Sequence, residues 1–231
     1  MTILETPEGI EIITALNYYT RLRAINNLLP LLSKSPAARV ISILAGGKER
    51  GLDLNDLELR NNPPLKLKFS TPTTMTTLSF EQLAKQYPTV AFCHVYPGFV
   101  NTGQLDRFML TAKGLWRVPA EVARWTLIPL VSLFATSVEQ AGERGLFVAT
   151  SAKYPASEGK EAGVELPKGV EVAKSSDGKG NGVYRLDANG ESVQNDCDKI
   201  LEDYRAEGVG EKVWQATLEV WERALKTYNT S

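Results

Sequence analysis

Two short and nearly continuous apolar runs, each preceded by a helix-like segment, are the feature that most constrains the fold of this chain. The runs are residues 39–45 (RVISILA) and residues 90–96 (VAFCHVY). A strand that lacks polar alternation is buried on both faces, which is typical of parallel strands joined by helices. The order helix, strand, helix, strand therefore predicts an α/β fold built on a parallel sheet.

Apolar residues at helical spacing predict the two helices that precede these strands. Thr6 as an N-cap and Pro7 at the first helical position predict that the first helix covers residues 7–32. Residues 51–72 contain prolines, glycine and polar residues, and we interpret them as a loop. The next apolar periodicity predicts the second helix over residues 73–86.

The C-terminal half of the chain changes in composition. Residues 104–135 are helical in tendency, and the run 145–150 (GLFVAT) predicts a third strand. Residues 154–193 are rich in glycine, lysine, serine and acids, which we interpret as an antiparallel β-arm or a long irregular insertion. We therefore predict a core domain over 1–153, and an arm with C-terminal helices over 154–231. The final helix carries an apolar stripe predicted to dock on the core: Trp214, Leu218, Trp221 and Leu225.

Composition excludes several classes of protein. The chain has 26 basic and 27 acidic residues and a net charge of −1, which argues against a nucleic-acid-binding surface. Cys93, Cys197 and His94 are its only cysteines and histidine, which excludes most metal sites and a disulfide framework, so no metal is expected. His94 lies inside a predicted strand, a position that favours a buried, hydrogen-bonded histidine over a catalytic base.

The sequence gives no indication of a membrane segment. No basic run followed by an apolar core opens the chain, and the longest apolar-rich stretch, residues 125–136, is short and contains Pro129. We therefore expect no membrane partner and a cytoplasmic location.

A turn that follows the second predicted strand carries chemistry. It reads Tyr96-Pro97-Gly98-Phe99-Val100-Asn101-Thr102, in which glycine lets backbone approach a planar ring and threonine offers a hydroxyl. This Pro-Gly-x-Val-x-Thr pattern resembles the short-chain dehydrogenase/reductase family, where the turn follows the sixth strand of a Rossmann sheet and covers the nicotinamide. The resemblance implies NAD(P) as cofactor and assigns cofactor binding to Pro97, Gly98, Val100 and Thr102.

The order of the surrounding elements extends this resemblance over roughly residues 6–228. The runs 39–45 and 90–96 resemble the fifth and sixth strands of the family. Asn17 lies thirteen residues before Pro30 in the first helix, where the family carries an asparagine that holds a proton-relay water. The resemblance thus implies a catalytic role for Asn17, and the competing interpretation is an ordinary polar helix position.

Two motifs of the family are missing from the chain. The pyrophosphate-binding Thr-Gly-x-x-x-Gly-x-Gly segment is absent, and the glycine-rich residues 178–182 indicate a turn instead. No tyrosine is followed by a lysine four residues later, Lys68 is the only stand-in for the family lysine, and Ala45 occupies the place of the family serine. Counting elements from Met1 predicts the C-terminal half of the family's fold, without the N-terminal dinucleotide-binding half.

The resemblance implies a nominal NAD(P)-linked oxidoreductase that acts on a small molecule in fungal secondary metabolism. The missing motifs predict weak or absent reductase activity. Two other classes stay open, a cofactor-independent isomerase or cyclase and a partner-binding pseudoenzyme without activity. In the family the helices that correspond to 7–32 and 73–86 form the common dimer interface, so a homo-oligomer through these helices is expected.

Overall fold

Three parallel strands form one sheet within the residues that the computed structural model describes, which are 5–61, 63–132, 134–158 and 163–229. The strands are β1 (Arg39–Ile43), β2 (Ala91–Val95) and β3 (Val183–Leu186), in the order β1-β2-β3. Ile43 lies opposite Val95, and Val95 lies opposite Leu186, so the three strands end at one edge. The predicted α/β, partial Rossmann-like fold is confirmed.

The first helix begins later than predicted. It consists of α1 (Ile12–Thr14), a π-helical segment (Ala15–Tyr19) and α2 (Thr20–Leu32), called here the N-terminal helix. Gly9 adopts a positive φ of 74°, and Thr6 donates its N–H to the Ile10 carbonyl at 2.8 Å, so residues 6–10 form a turn. The N-cap is Glu11, whose carboxylate accepts the N–H of Thr14 at 2.8 Å, and the prediction of Thr6 was wrong.

The second helix, α3 (Leu65–Gln86), begins eight residues before the predicted start at 73, so residues 65–72 are not loop. It packs against β2, β3 and a C-terminal helix, and all of its side chains from 71 to 81 are buried. Tyr18 of the N-terminal helix contacts α3 and the last helix of the chain, because its hydroxyl lies 2.6 Å from Ser79 Oγ and 2.7 Å from Thr217 Oγ1.

The described part of the segment between β2 and β3 contains four helices. They are α4 (Gln104–Leu110), a short 3₁₀ helix (Gly114–Trp116), α5 (Arg117–Ser132) and α6 (Val138–Thr150). The predicted strand over 145–150 is wrong, because these residues are the end of α6. Ser137 caps that helix by accepting the N–H of Gln140 at 3.1 Å. The third strand lies instead at Val183–Leu186, inside the segment predicted to be an antiparallel arm, and it pairs with β2 in parallel, so it belongs to the sheet.

Two helices close the described chain, α7 (Cys197–Ala206) and α8 (Val209–Asn229). Trp214 and Trp221 of the predicted stripe are buried and pack edge to face with ring centroids 5.7 Å apart. Leu218 and Leu225 are exposed. The docking prediction is therefore confirmed for the two tryptophans and is wrong for the two leucines.

Side chains of the sheet alternate between two apolar clusters, one on each face. Val40, Phe92 and Val183 belong to the larger cluster, which includes α3 and α8. Cys93 and Tyr184 belong to the cluster on the opposite face, with Val148 and Tyr154. Burial raises the pKa of Cys93 to about 12, so this thiol is an inert core residue, as the sequence predicted.

Several predictions from the sequence stay predictions. They include the domain boundary at 153/154, the cytoplasmic location and the homo-oligomer through residues 7–32 and 73–86. Since most side chains of α3 are buried within the chain, such an oligomer would use exposed leucines of the N-terminal helix, Leu16, Leu28 and Leu31. Among the described helices, none combines the length and the apolar character that crossing a bilayer requires.

Candidate functional site

A cavity of about 620 Å³ opens where β1 and β2 end. Ile43 at the end of β1 and the turn over residues 97–103, which follows β2, line one part of the cavity. Helices α4, α5 and α6 line the rest. All four predicted cofactor-binding residues line it, namely Pro97, Gly98, Val100 and Thr102. Ligands of open α/β sheets bind at the carboxyl ends of the strands, which is the position of this cavity. The structure thus brings the four residues together, while their role in binding stays a prediction.

The backbone geometry of the turn depends on Gly98. This residue adopts a φ of 69°, and a Cβ atom added there would lie 2.9 Å from the Cβ of Ala188. After Gly98, the backbone of Thr136 forms a parallel β-bridge with the turn. Thr136 donates its N–H to the Phe99 carbonyl at 2.9 Å, and its own carbonyl accepts the N–H of Asn101 at 3.0 Å. The turn therefore has one fixed conformation on the cavity side.

Asp106 is the only charged residue that lines the described part of the cavity. Its carboxylate accepts a hydrogen bond from Nε of Arg124 at 2.8 Å, and Arg124 also donates to Glu121 at 2.9 Å. The other polar side chains of the lining are those of Asn101, Thr102 and Ser132. The described cavity wall is thus mainly apolar, and its one negative charge, that of Asp106, is paired with Arg124.

Asn17 lies in the middle of the π-helical segment and is half-buried. Arg21 donates from Nε to the Leu16 carbonyl at 3.3 Å and from Nη1 to the Ile43 carbonyl at 2.8 Å. This guanidinium fastens the segment to the carboxyl end of β1, and such π segments are frequent at functional sites. Asn17 itself is not among the residues that line the cavity, and its catalytic role stays a prediction.

The structure does not bring Lys68 to the cavity. Lys68 is buried near the start of α3, and its Nζ lies 3.7 Å from a carboxylate oxygen of Glu11, the N-cap of the N-terminal helix. It therefore neutralises a buried acid rather than standing in for the family lysine. Ala45, at the place of the family serine, donates its backbone N–H to Nε2 of His94 at 3.3 Å.

His94 is fully buried and hydrogen-bonded, as the sequence predicted. Because Nε2 accepts the N–H of Ala45, the neutral ring carries its proton on Nδ1, 2.8 Å from the Thr77 hydroxyl. Thr77 in turn donates to Glu49 at 2.7 Å. The imidazole therefore links the loop after β1 to α3 and has no free nitrogen for catalysis.

A buried ion pair, which the sequence pattern does not predict, completes this network. Glu49 and Arg185 are both buried, with Arg185 Nη1 at 3.3 Å from Glu49 Oε2, and Arg185 also binds the carboxylate of Asp198. A lone arginine inside the apolar run 183–186 was the available indication, because a buried arginine needs an acidic partner.

The burial of His94 predicts a pH-dependent stability. The pKa of His94 is lowered from 6.5 to about 4, mainly by burial, while Glu49 opposes the shift and Arg185 contributes to it. The unfolded chain then binds a proton that the folded chain does not, so the free energy of unfolding should fall by about 3 kcal/mol as the pH drops from 6.5 to 4. Urea denaturation across this range measures the slope. The variant His94→Gln should lose that part of the slope, and equal slopes in both proteins would contradict the assignment.

The glycine-rich residues 178–182 form a turn, as predicted, and do not form a phosphate site. Asp177 Oδ1 accepts the N–H of Lys179 at 2.8 Å, and Ser175 Oγ accepts that of Gly180 at 2.8 Å. A phosphate would need these same backbone donors. The turn also precedes β3 and lies at the amino edge of the sheet, opposite the cavity. In the described ranges, no group of three metal-ligating side chains comes together.

Sequence comparisons relate the chain to fungal proteins. It is 39% identical to oxidoreductase AN1596 of Emericella nidulans, over 96% of this chain and 64% of that protein. It is 39% identical to oxidoreductase andH of Emericella variicolor, over 94% of this chain and 63% of that protein. It is 33% identical to short-chain dehydrogenase/reductase SAT2 of Stachybotrys chartarum, over 92% of this chain and 59% of that protein. The chain thus spans less than two thirds of the length of each of these relatives. No protein-family model matches it, and no solved structure is a significant match.

Proposed function

We propose, from the homology of this chain to fungal proteins named as oxidoreductases, that it is an NAD(P)-linked oxidoreductase of the short-chain dehydrogenase/reductase type with a small-molecule substrate. The observation that carries the proposal is the cavity at the carboxyl ends of β1 and β2, which the turn 97–103 lines. The setting in fungal secondary metabolism that the resemblance implies stays a prediction.

The residues of the turn fit the nicotinamide end of the cofactor. Gly98 presents backbone without a Cβ, and Asn101 and Thr102 offer an amide and a hydroxyl to a carboxamide. When bound, a nicotinamide supplies hydride transfer. The residues of this chain would orient the ring and, with the apolar walls of α4 and α5, exclude water from it.

The pyrophosphate end of the cofactor finds no matching segment in the 231 residues. The glycine fingerprint is absent, and the donors of the 178–182 turn are occupied by Asp177 and Ser175. A proton donor of the Tyr-x-x-x-Lys type is also absent. We therefore propose that these residues alone bind NAD(P)H weakly and reduce carbonyl compounds slowly.

Calorimetric titration of the protein with NADPH tests this proposal, with Gly98→Ala and Gly114→Ala as a matched pair of variants. Both glycines have a positive φ, 69° and 60°, so the backbone strain is similar. Only at Gly98 would the new Cβ meet another atom, because nothing lies within 4 Å of Gly114. We expect weak binding that Gly98→Ala lowers by about tenfold and Gly114→Ala leaves unchanged.

Three results would count against the proposal. A dissociation constant in the low micromolar range would contradict weak binding, and equal NADPH binding by both variants would contradict the role of the turn. Turnover of a substrate without any nicotinamide would favour a cofactor-independent isomerase instead.

A further inference from the structure

We propose that the cavity at the carboxyl ends of β1 and β2 takes a neutral, mainly apolar carbonyl compound or alcohol and discriminates against carboxylates and phosphates. This substrate class rests on the proposed function. The cavity volume, about 620 Å³, lies in the range of about 300–1,000 Å³ that is common for small-molecule sites.

The walls of the cavity present large apolar side chains that remain open to solvent. Ile43 is 53% exposed and Phe108 is 68% exposed, and both line the cavity together with Leu105 and Ile128. Covering such side chains with an apolar ligand removes their surface from water, which is favourable. The lining therefore favours a ligand whose main body is hydrocarbon or aromatic.

The described lining of the cavity contains no cation that could pair with an anionic ligand. Asp106 is the one charged residue among the described lining, and its partner Arg124 is shared with Glu121. Two other arginines approach the rim and bind backbone carbonyls, Arg21 that of Ile43 and Arg107 that of Thr102. A carboxylate held in the cavity would lose part of its hydration and would lie near Asp106 without a cation in the described lining, which is unfavourable.

Few polar groups are available for the ligand. Because Asn101 and Thr102 face the nicotinamide in the proposed function, Ser132 is the remaining neutral polar side chain of the described lining, and it can bond one carbonyl or hydroxyl group as donor or acceptor. A single polar group on an apolar body matches this donor set, whereas a phosphate needs several charged or backbone donors. The site thus selects by apolar fit and by one hydrogen-bonded oxygen.

Binding of a matched pair of probes tests the inference without any cofactor. We would titrate the full chain at neutral pH with 2-acetylnaphthalene and with the anion of 6-acetyl-2-naphthoic acid, which share the aryl ketone and differ in one carboxylate. We expect the neutral ketone to bind about tenfold more tightly. Equal or tighter binding of the acid would overturn the inference, and so would a neutral ketone that shows no saturable binding up to its solubility.

Two variants connect the binding to this cavity. Phe108→Ala removes an exposed wall residue and should weaken binding of the neutral ketone by about fivefold or more, while Leu115→Ala changes a 95% exposed leucine outside the lining and should have no effect. Ser132→Lys places a cation in the lining and should lower the ratio of the dissociation constants, acid over neutral ketone, by about fivefold. Equal losses in Phe108→Ala and Leu115→Ala would place the probe elsewhere and overturn the inference.

Titration with NADPH, done beside the ketone titration, separates this inference from the proposed function. A neutral ketone that binds as expected, in a protein that shows no binding of NADPH, would contradict the oxidoreductase and leave the ligand class standing. NADPH-dependent turnover that is faster with the acid than with the ketone would overturn the ligand class and leave the oxidoreductase standing.

Discussion

Replacing Gly46 with alanine is expected to lower the free energy of unfolding by about 4 kcal/mol or more. The new Cβ would lie 1.9 Å from the carbonyl oxygen of His94 and 2.7 Å from its carbonyl carbon. Both atoms belong to the backbone of the central strand β2, which cannot move without breaking its ladder to β1 or β3. Overpacking against backbone is among the few mechanisms that destabilise a protein this strongly. Urea denaturation followed by circular dichroism measures the change.

Gly142→Ala is the matched control for this substitution. Gly142 lies in the interior of α6, and nothing lies within 4 Å of the position that its new methyl group would take, so the same chemical change meets open space. We expect this variant to be unchanged or more stable by about 0.5–1 kcal/mol, because alanine favours the helix over glycine. If Gly46→Ala denatured at the same urea concentration as Gly142→Ala, the close approach of the loop to β2 would be refuted.

The sequence was sufficient to locate β1 and β2 because both faces of the sheet pack against apolar clusters. Residues of these strands alternate between the two clusters of the core, so both faces carry apolar side chains and the apolar runs are nearly continuous. The same argument predicted the turn after β2, and with it Pro97 and Gly98 at the carboxyl edge of the sheet. The local pattern and the candidate site coincide in this part of the chain.

The sequence was insufficient for β3 because that strand carries a charge inside its apolar run. Arg185 is compatible with the core because it pairs with Asp198 and with the buried Glu49, which lies 136 residues earlier in the chain. A pattern read over a local window does not contain that partner. The segment was therefore interpreted as an arm, although Val183–Leu186 pairs with the central strand.

Two helix boundaries failed for reasons that are also physical. The six-residue run 145–150 fits a buried strand and the end of a helix equally well, and the cap at Ser137 decides for the helix. The start of α3 alternates leucine and lysine, which resembles loop or strand, until Glu11 from another helix neutralises Lys68. In both cases the deciding contact lies outside the window that the pattern covers.

The candidate site was predictable only on the side that the turn forms. Thr102 and its neighbours were identified from a motif, whereas Leu105, Phe108 and Ile128 reached the cavity through the packing of α4 and α5. Arg21 was missed because its contact with the Ile43 carbonyl depends on the π-helical segment, which shifts the following side chains around the helix. A motif therefore located the cavity, and tertiary packing determined its chemistry.

Arg185→Met is the second substitution for which we expect a large effect, a loss of about 4 kcal/mol in the free energy of unfolding. Methionine approximates the aliphatic part of arginine and removes the charge, which leaves Glu49 buried without its cation. Removing one partner of a buried pair costs about 3–5 kcal/mol, because the remaining charge is neither hydrated nor paired. Asp198 also loses a bond, but it is partly exposed and water can replace the guanidinium there.

The control is Arg223→Met, which breaks a pair of the same chemistry at the surface. Arg223 binds Glu58 while 42% of its side chain is exposed, so we expect a loss of no more than about 1 kcal/mol. The double variant Glu49→Gln/Arg185→Met removes both buried charges and should be more stable than Arg185→Met alone. Denaturation of the single and double variants gives their coupling energy. A coupling energy near zero would mean that Glu49 is not held by Arg185, and the continuity of the network from β3 to the loop after β1 would then be wrong.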